Sequence, residues 1–271
     1  MTRLTLLTPT TPQPHRPLLV YLPGMDGSGY LLRSQLPRLA PHFDIRCLQL
    51  PADDLRTWPD LAQDALDLLN PLRQGRTLYL LGESFGGCLA LMMASQQPDC
   101  CDRLILSNPA SALKRRPLLF WGSHLVQWMP DALSGISALG LLPFLAALDR
   151  IPAENRQALL DAMRHVSSRA IAWRIGLLRD FRIPQTQLAR IQQPTLILAS
   201  VLDHLLPSLA EAQDLIQALP NAKIHRLPRS GHACLLEKDT NLLDILQTED
   251  FLLPKKLTGY NPSLLTSSHQ N

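Results

Sequence analysis

The sequence predicts an α/β fold, with a mainly parallel sheet covered by helices on both faces. Three observations carry that prediction. Short apolar runs bounded by Gly or Pro alternate with longer periodic stretches from Pro17 to Ser107. The same alternation resumes at Thr195, and a long stretch without a convincing strand separates the two parts. Strands separated by helices pair in parallel, because each helix returns the chain to the edge where the next strand starts. With 271 residues the chain is long enough for one large domain that buries roughly three-quarters of its unfolded surface.

The elements follow in order. Residues 1–16, rich in Thr and Pro, read as an extended lead-in. Pro17–Leu22 (PLLVYL) is a short apolar run closed by Pro23-Gly24, the pattern of a buried strand. A helical stretch at Leu31–Leu39 and a strand at Asp44–Leu48 come next. Thr57 with Asp60 precedes the periodic LAQDALDLL, a capping-box start for a helix. Leu78–Leu81 reads as a strand, Phe85–Gln97 as a helix and Leu104–Ser107 as a strand. Residues 112–193 read as helices punctuated by prolines, a cap inserted over one end of the sheet. Thr195–Ser200 is a strand; Ser208 with Glu211 forms a second capping box for a helix ending near Leu219. Lys223–Leu227 is the last strand and Thr240–Leu246 the last substantial helix. The division is therefore a core in two parts, 1–111 and 194–253, a helical cap at 112–193, and a polar tail at 254–271.

Composition narrows the function classes. A net charge of +3, with no basic stripe carrying interleaved aromatics, argues against nucleic acid as a partner. The cysteines Cys47, Cys88, Cys100, Cys101 and Cys234 form no CxxC pair and no spaced His/Cys set, so neither metal nor cofactor is expected. They read as reduced, buried thiols of a cytoplasmic protein. No basic start followed by an apolar core suggests a secretory signal. The longest uncharged apolar stretch, Ala132–Leu148, is interrupted by Gly135, Gly140 and Pro143, which disfavours a membrane span.

The strongest chemical signal is Gly82-Glu83-Ser84-Phe85-Gly86, a G-x-S-x-G between a predicted strand and a predicted helix. A serine on that strained turn exposes its hydroxyl, and the glycines at Gly82 and Gly86 permit the close packing the turn needs. The helix N-terminus aims N–H groups where an oxyanion would develop. A serine nucleophile needs a base, and the base an orienting carboxylate, which α/β-hydrolases supply in the order Ser, Asp or Glu, His. Asp203 lies just past the strand TLILAS, and His232 lies in the loop beyond the last strand. Both stand where strand ends bring them to the serine. The remaining histidines are weaker candidates: His204 precedes the last strand, His225 lies within it, and the others fall on predicted surface or in the cap. Glu211 and Asp214 read as solvated helix positions. The loop LPGMDGSG after the first clear strand is the second donor site, which assigns oxyanion N–H groups to Met25 and Phe85. Asp26 reads as a turn former or a residue fixing that loop.

LPGMDGSG, YLLGESFGGCLALMMA, LILSNPAS, LILASVLDHLLPS and RSGHACLLEKD together resemble the hydrolase half of plant plastid phytyl ester synthases and their esterase/lipase/thioesterase relatives. The similarity runs from Leu18 to Leu253 and is weakest through the cap. It implies the α/β-hydrolase fold, catalysis by Ser84, Asp203 and His232, and transfer of fatty acyl groups among lipids, acyl carriers and long-chain alcohols such as phytol. The plant members carry a further acyltransferase-like part with a His-x4-Asp pattern, which no histidine here begins. Hydrolysis is therefore the expected activity.

The cap holds Lys114, Arg115 and Arg116, followed by Leu118, Leu119, Phe120, Trp121, Trp128 and the run ALGLLPFLAAL. A basic cluster beside Trp-containing apolar sequence suits a peripheral contact with an anionic membrane, and packing on the core is the alternative. Either arrangement favours an acyl chain as substrate. Phe181, Trp173 and Cys88 are candidates for lining a pocket, or for plain core. Three functions result: a hydrolase of lipid-like carboxylic esters or thioesters, an acyltransferase to a long-chain alcohol or glycerolipid, and a non-catalytic lipid-binding protein. The last has no need of all three polar residues.

Overall fold

The computed structural model describes residues 3–111 and 149–253. Its centre is a seven-stranded sheet: β1 (Thr5–Leu7), β2 (Leu18–Leu22), β3 (Asp44–Gln49), β4 (Leu78–Glu83), β5 (Arg103–Ser107), β6 (Thr195–Ser200) and β7 (Ala222–Leu227). The spatial order is β1-β3-β2-β4-β5-β6-β7. β1 runs antiparallel to β3, and every other pair is parallel. The predicted fold class holds, but the lead-in is more than extended chain. Its residues Thr5–Leu7 pair with Cys47–Gln49 and form one edge of the sheet.

The interior strands are apolar throughout because helices cover both faces. β2, β4 and β6 are buried at every position, whereas the edge strand β7 is buried only at Leu227. Alternate side chains divide between two cores. The short helix α1 (Leu36–Leu39) precedes β3. Leu18, Val20 and Leu22 pack with α2 (Trp58–Arg73) and α3 (Phe85–Gln96), and Leu19 and Tyr21 pack with Phe43, Leu242 and Leu246 on the other face.

Helix starts follow local chemistry. Before α2, the Asp60 carboxylate accepts the Thr57 hydroxyl at 2.6 Å and its N–H at 3.4 Å. The second expected capping box is not formed. The helix there begins at Ser208, after Pro207, and the Ser208 hydroxyl donates to Asp203 instead of capping a helix N–H. Glu211 is buried and accepts the Ser111 hydroxyl, so the solvated position expected for it is corrected; Asp214 is exposed. Neighbouring apolar residues of α2, α3 and the Ser208–Ala218 helix draw that face against the sheet.

Of the insertion, residues 149–193 are described and contain three helices, Ala153–His165, Ser168–Asp180 and Gln185–Leu188, with no strand. Residues 112–148, with the basic cluster and both cap tryptophans, lie outside the described residues, as does the tail from 254. No described helix is long and apolar enough to cross a membrane. All five cysteines are buried and unbridged.

The sheet order places a crevice where it is needed. From β2 the chain goes first to β3 on one side and then to β4 on the other, so the loops leaving β2 and β4 diverge in opposite directions. Sites in open α/β sheets form at the carboxyl ends of strands, at such a reversal.

Candidate active site

Ser84 stands between β4 and α3 with φ 52° and ψ −111°. A non-glycine residue is strained there, and surrounding packing must hold it. A side-chain carbon on Gly82 would lie 2.4 Å from Gly86 O, and one on Gly86 2.1 Å from Leu22 O. Only glycine fits at both positions. The Ser84 N–H donates to Ser107 O at 2.9 Å, and Ser84 O accepts from Gly87 N at 3.0 Å and Ala110 N at 3.1 Å.

His232 and Asp203 complete a chain of hydrogen bonds. The distance from Ser84 Oγ to His232 Nε2 is 2.8 Å, and from His232 Nδ1 to Asp203 Oδ2 it is 2.7 Å. A carboxylate at Nδ1 accepts the hydrogen bond of Nδ1–H and so keeps the proton on that nitrogen, which leaves Nε2 as acceptor for the serine hydroxyl. Asp203 Oδ1 accepts the N–H groups of Leu205 and Leu206, each at 2.9 Å, and Ser208 donates to Oδ2. Burial pushes the Asp203 carboxyl upward, but the charge and hydrogen bond of His232, with those donors, carry it below its ordinary range. Burial pulls the His232 imidazole down, yet Asp203 outweighs this and leaves it raised. The two shifts describe one attraction, felt by both partners.

The loop after β2 borders the serine: a side-chain carbon on Gly24 would lie 3.8 Å from Ser84 Cβ. Asp26 accepts the Ser28 N–H at 2.9 Å and the Ser28 hydroxyl, which folds the loop on itself. No described acceptor takes the N–H of Met25 or of Phe85, the first residue of α3. The Phe85 ring stacks on Trp58, with centroids 4.5 Å apart, and Phe181 meets Trp58 edge-on at 5.3 Å.

Two participants escaped the sequence reading. Glu83, just before the serine, is buried and accepts the Tyr21 hydroxyl. Burial is the main cause that raises its carboxyl to about 7. The second is Arg174, on the Ser168–Asp180 helix of the insertion. Its side chain, 1% exposed, donates to Met25 O at 2.6 Å and to Pro51 O at 2.9 Å. Trp58 Nε1 donates to Leu177 O of the same helix at 2.9 Å, so this helix is fixed to α2 and to the loop.

The other candidates lie elsewhere. His204 is exposed, and His225 Nδ1 pairs with Glu249 at 2.8 Å. Cys88 and Phe181 belong to the core, while Trp173 is exposed and donates to Arg56 O at 2.9 Å. Among the described residues no group of three or more His, Cys, Asp or Glu side chains could hold a metal ion.

Residues 53–239 match the family described as serine aminopeptidase, S33. The chain belongs to this family. As an S33 family member it is an enzyme of the α/β-hydrolase type, and the expected resemblance to the plant proteins is borne out. It is 30% identical to phytyl ester synthase 1, chloroplastic, of Arabidopsis thaliana, over 89% of the chain and 40% of that relative. With phytyl ester synthase 2, chloroplastic, from the same plant, it shares 28% identity over 87% of the chain and 38% of the relative. The chain thus spans about two-fifths of the length of these curated relatives. Among solved structures, MenH from S. aureus superposes with a TM-score of 0.72 at 19% identity, covering 92% of this chain and 100% of that one. MGS-M2, an alpha/beta hydrolase from a deep-sea metagenome library, gives 0.74 at 17% identity, covering 94% and 97%. At such identities these two matches speak for the fold of this S33 member.

Proposed function

We propose that this S33 family member is a serine hydrolase that cleaves carboxylic ester or thioester bonds of lipid-like acyl substrates through an acyl-enzyme. One observation carries the proposal: the unbroken hydrogen-bonded chain Asp203–His232–Ser84, ending on a serine at positive φ. In the proposed reaction Ser84 Oγ attacks the acyl carbonyl as His232 Nε2 takes its proton. The N–H groups of Met25 and Phe85 receive the oxyanion. His232 then gives the proton to the departing alcohol or thiol. Water, deprotonated by the same imidazole, releases the acid and restores the serine. Asp203 stabilises the imidazolium without taking its proton.

A second reading is acyl transfer, in which a long-chain alcohol such as phytol or a glycerolipid replaces water. The 30% identity to phytyl ester synthase 1 favours it. The lipid-like substrate is supported by the same relatives and by the apolar sequence of the insertion. A peripheral contact with an anionic membrane through Lys114–Arg116, in a cytoplasmic protein, belongs to this proposal.

Ser84→Ala should lose turnover on the order of a million-fold. It should also lose fluorophosphonate labelling while keeping its circular dichroism. Labelling that persists at another residue would remove Ser84 from the mechanism. A panel of acyl esters, with and without added long-chain alcohol, then separates hydrolysis from transfer by its products.

A further inference from the structure

The segment Ser107–Ala110, which starts at the last residue of β5, touches the carriers of all three proposed catalytic residues. Ser107 O and Ala110 N hold the backbone of Ser84. Asn108 reaches the other two. It is fully buried, at φ 42°. Its Nδ2 donates to His232 O at 2.8 Å and to Ser200 Oγ at 2.9 Å, with Gly231 O at 3.4 Å and Cys234 Sγ at 3.6 Å. Its Oδ1 accepts the N–H of Ser200, the last residue of β6, at 2.9 Å. The amide orientation is not arbitrary: a carbonyl can only accept and a backbone N–H can only donate, so the reversed amide would lose its bonds to both.

We propose that Asn108 is a positioning residue that locks the His232 loop and the end of β6, which leads into Asp203, to the turn that presents Ser84. This rests on the reading of Ser84, His232 and Asp203 as the catalytic set. The residue type follows from two demands made at one position. The backbone must adopt a left-handed conformation, which Gly, Asn and Asp tolerate. The side chain must also donate to a carbonyl while accepting an N–H. Glycine meets only the first demand. Aspartate adopts the conformation but turns a second acceptor toward the His232 carbonyl. Asparagine meets both.

Glu237 braces the other side of the same loop, accepting Gly231 N at 2.8 Å and Arg150 Nε at 3.1 Å. Between this loop and the end of β6 the backbone bond from Leu202 N to Ser230 O, at 3.1 Å, is joined by the Asn108 side chain, which reaches His232 O and Ser200 N together. Without Asn108 the His232 loop can drift relative to Asp203, which lengthens the bond that orients the imidazole. The charged groups acting on His232 are Asp203, beyond β6, and Glu83, at the end of β4; both hold the imidazole up. Weaker coupling to Asp203 therefore lowers the His232 pKa and moves the acid limb of kcat/KM to lower pH.

The test uses the full chain with 4-nitrophenyl butyrate and a fluorophosphonate, and compares Asn108→Gly, Asn108→Asp and Ser200→Ala with the parent. Asn108→Gly keeps the backbone conformation and removes only the side chain. Its kcat should fall on the order of a hundred-fold, as misplaced catalytic groups cost. KM should stay within about twofold, since bound substrate is untouched. Fluorophosphonate labelling should slow in parallel, and the acid limb should move to lower pH. Asn108→Asp should lose at least as much. Ser200→Ala removes one partner and should show a smaller loss in the same direction; it decides the matter if neither Asn108 variant folds. An unchanged kcat and acid limb in folded variants overturns the proposal. So does a loss of thermal stability accompanied by equal losses at every pH. Ser84→Ala run alongside separates the two readings. If it stays active, the catalytic set itself is wrong; if it is inactive while the Asn108 variants are not, only the positioning role fails.

Discussion

Two carboxylates act on His232, and their surroundings send them in opposite directions. Asp203 is pulled low by its donors, while Glu83, with the Tyr21 hydroxyl as its partner, is raised to about 7 chiefly by burial. Asp203→Asn should keep the geometry but favour the wrong imidazole tautomer and reduce kcat roughly ten-thousand-fold, measured on a short soluble ester. Near-normal turnover would mean that another carboxylate orients the imidazole. Glu83→Gln should be milder. It removes a charge, present above about pH 7, that raises the His232 pKa, so the acid limb of kcat/KM should move to lower pH. A limb that stays in place shows that Glu83 acts only on packing. Ser84, Asp203 and His232 were legible in the sequence because each follows a recognisable strand in the right chain order. Glu83 and Tyr21 were not, because their meeting depends on the register of two strands far apart in sequence. Tyr21 pairs with Leu81, which sets Glu83 two residues further along the same face.

Elements were legible wherever burial on both faces made them apolar, as in β2, β4 and β6. β1 was not, since three residues at an edge, exposed or half-buried, carry no such run; only the pairing with β3 defines it. The Ser208 helix shows a different limit. Its Ser and Glu have capping-box spacing, but tertiary partners, Asp203 and Ser111, claim both side chains. The turn between β4 and α3 is the element where sequence and structure agree most closely, and its tolerance is correspondingly small. In Gly86→Ala the added carbon would meet backbone atoms of Leu22 and Pro23, which cannot swing aside. We expect a loss of about 3 kcal/mol or more in urea unfolding. A variant with the parent's midpoint would show that the turn can shift as a unit.

At the scale of the whole molecule, the described part of the insertion is tied to the core through contacts such as Trp58 Nε1 with Leu177 O and Arg174 with Met25 O. Burying each CH₂ of an acyl chain is worth roughly 0.8 kcal/mol, so on the proposed lipid-like reading an apolar insertion covering the serine would set chain-length preference. Replacing Trp121 and Trp128 with Ser should therefore depress turnover of long-chain esters far more than of acetate esters, read as the ratio of the two kcat/KM values. Equal losses on both would reduce these residues to scaffolding. The contact of Arg174 with Met25 bears on a separate question, whether the insertion is an exchangeable module. Its guanidinium occupies space beside Gly27, where an added carbon would sit 2.8 Å from Nη1, and it holds a carbonyl of the loop next to the serine. A chimera given another enzyme's insertion without an arginine at that point would inherit an empty, polar socket and an untethered loop. Inheritance of substrate preference by exchange of insertions, in evolution or in engineering, thus requires lock and key to travel together.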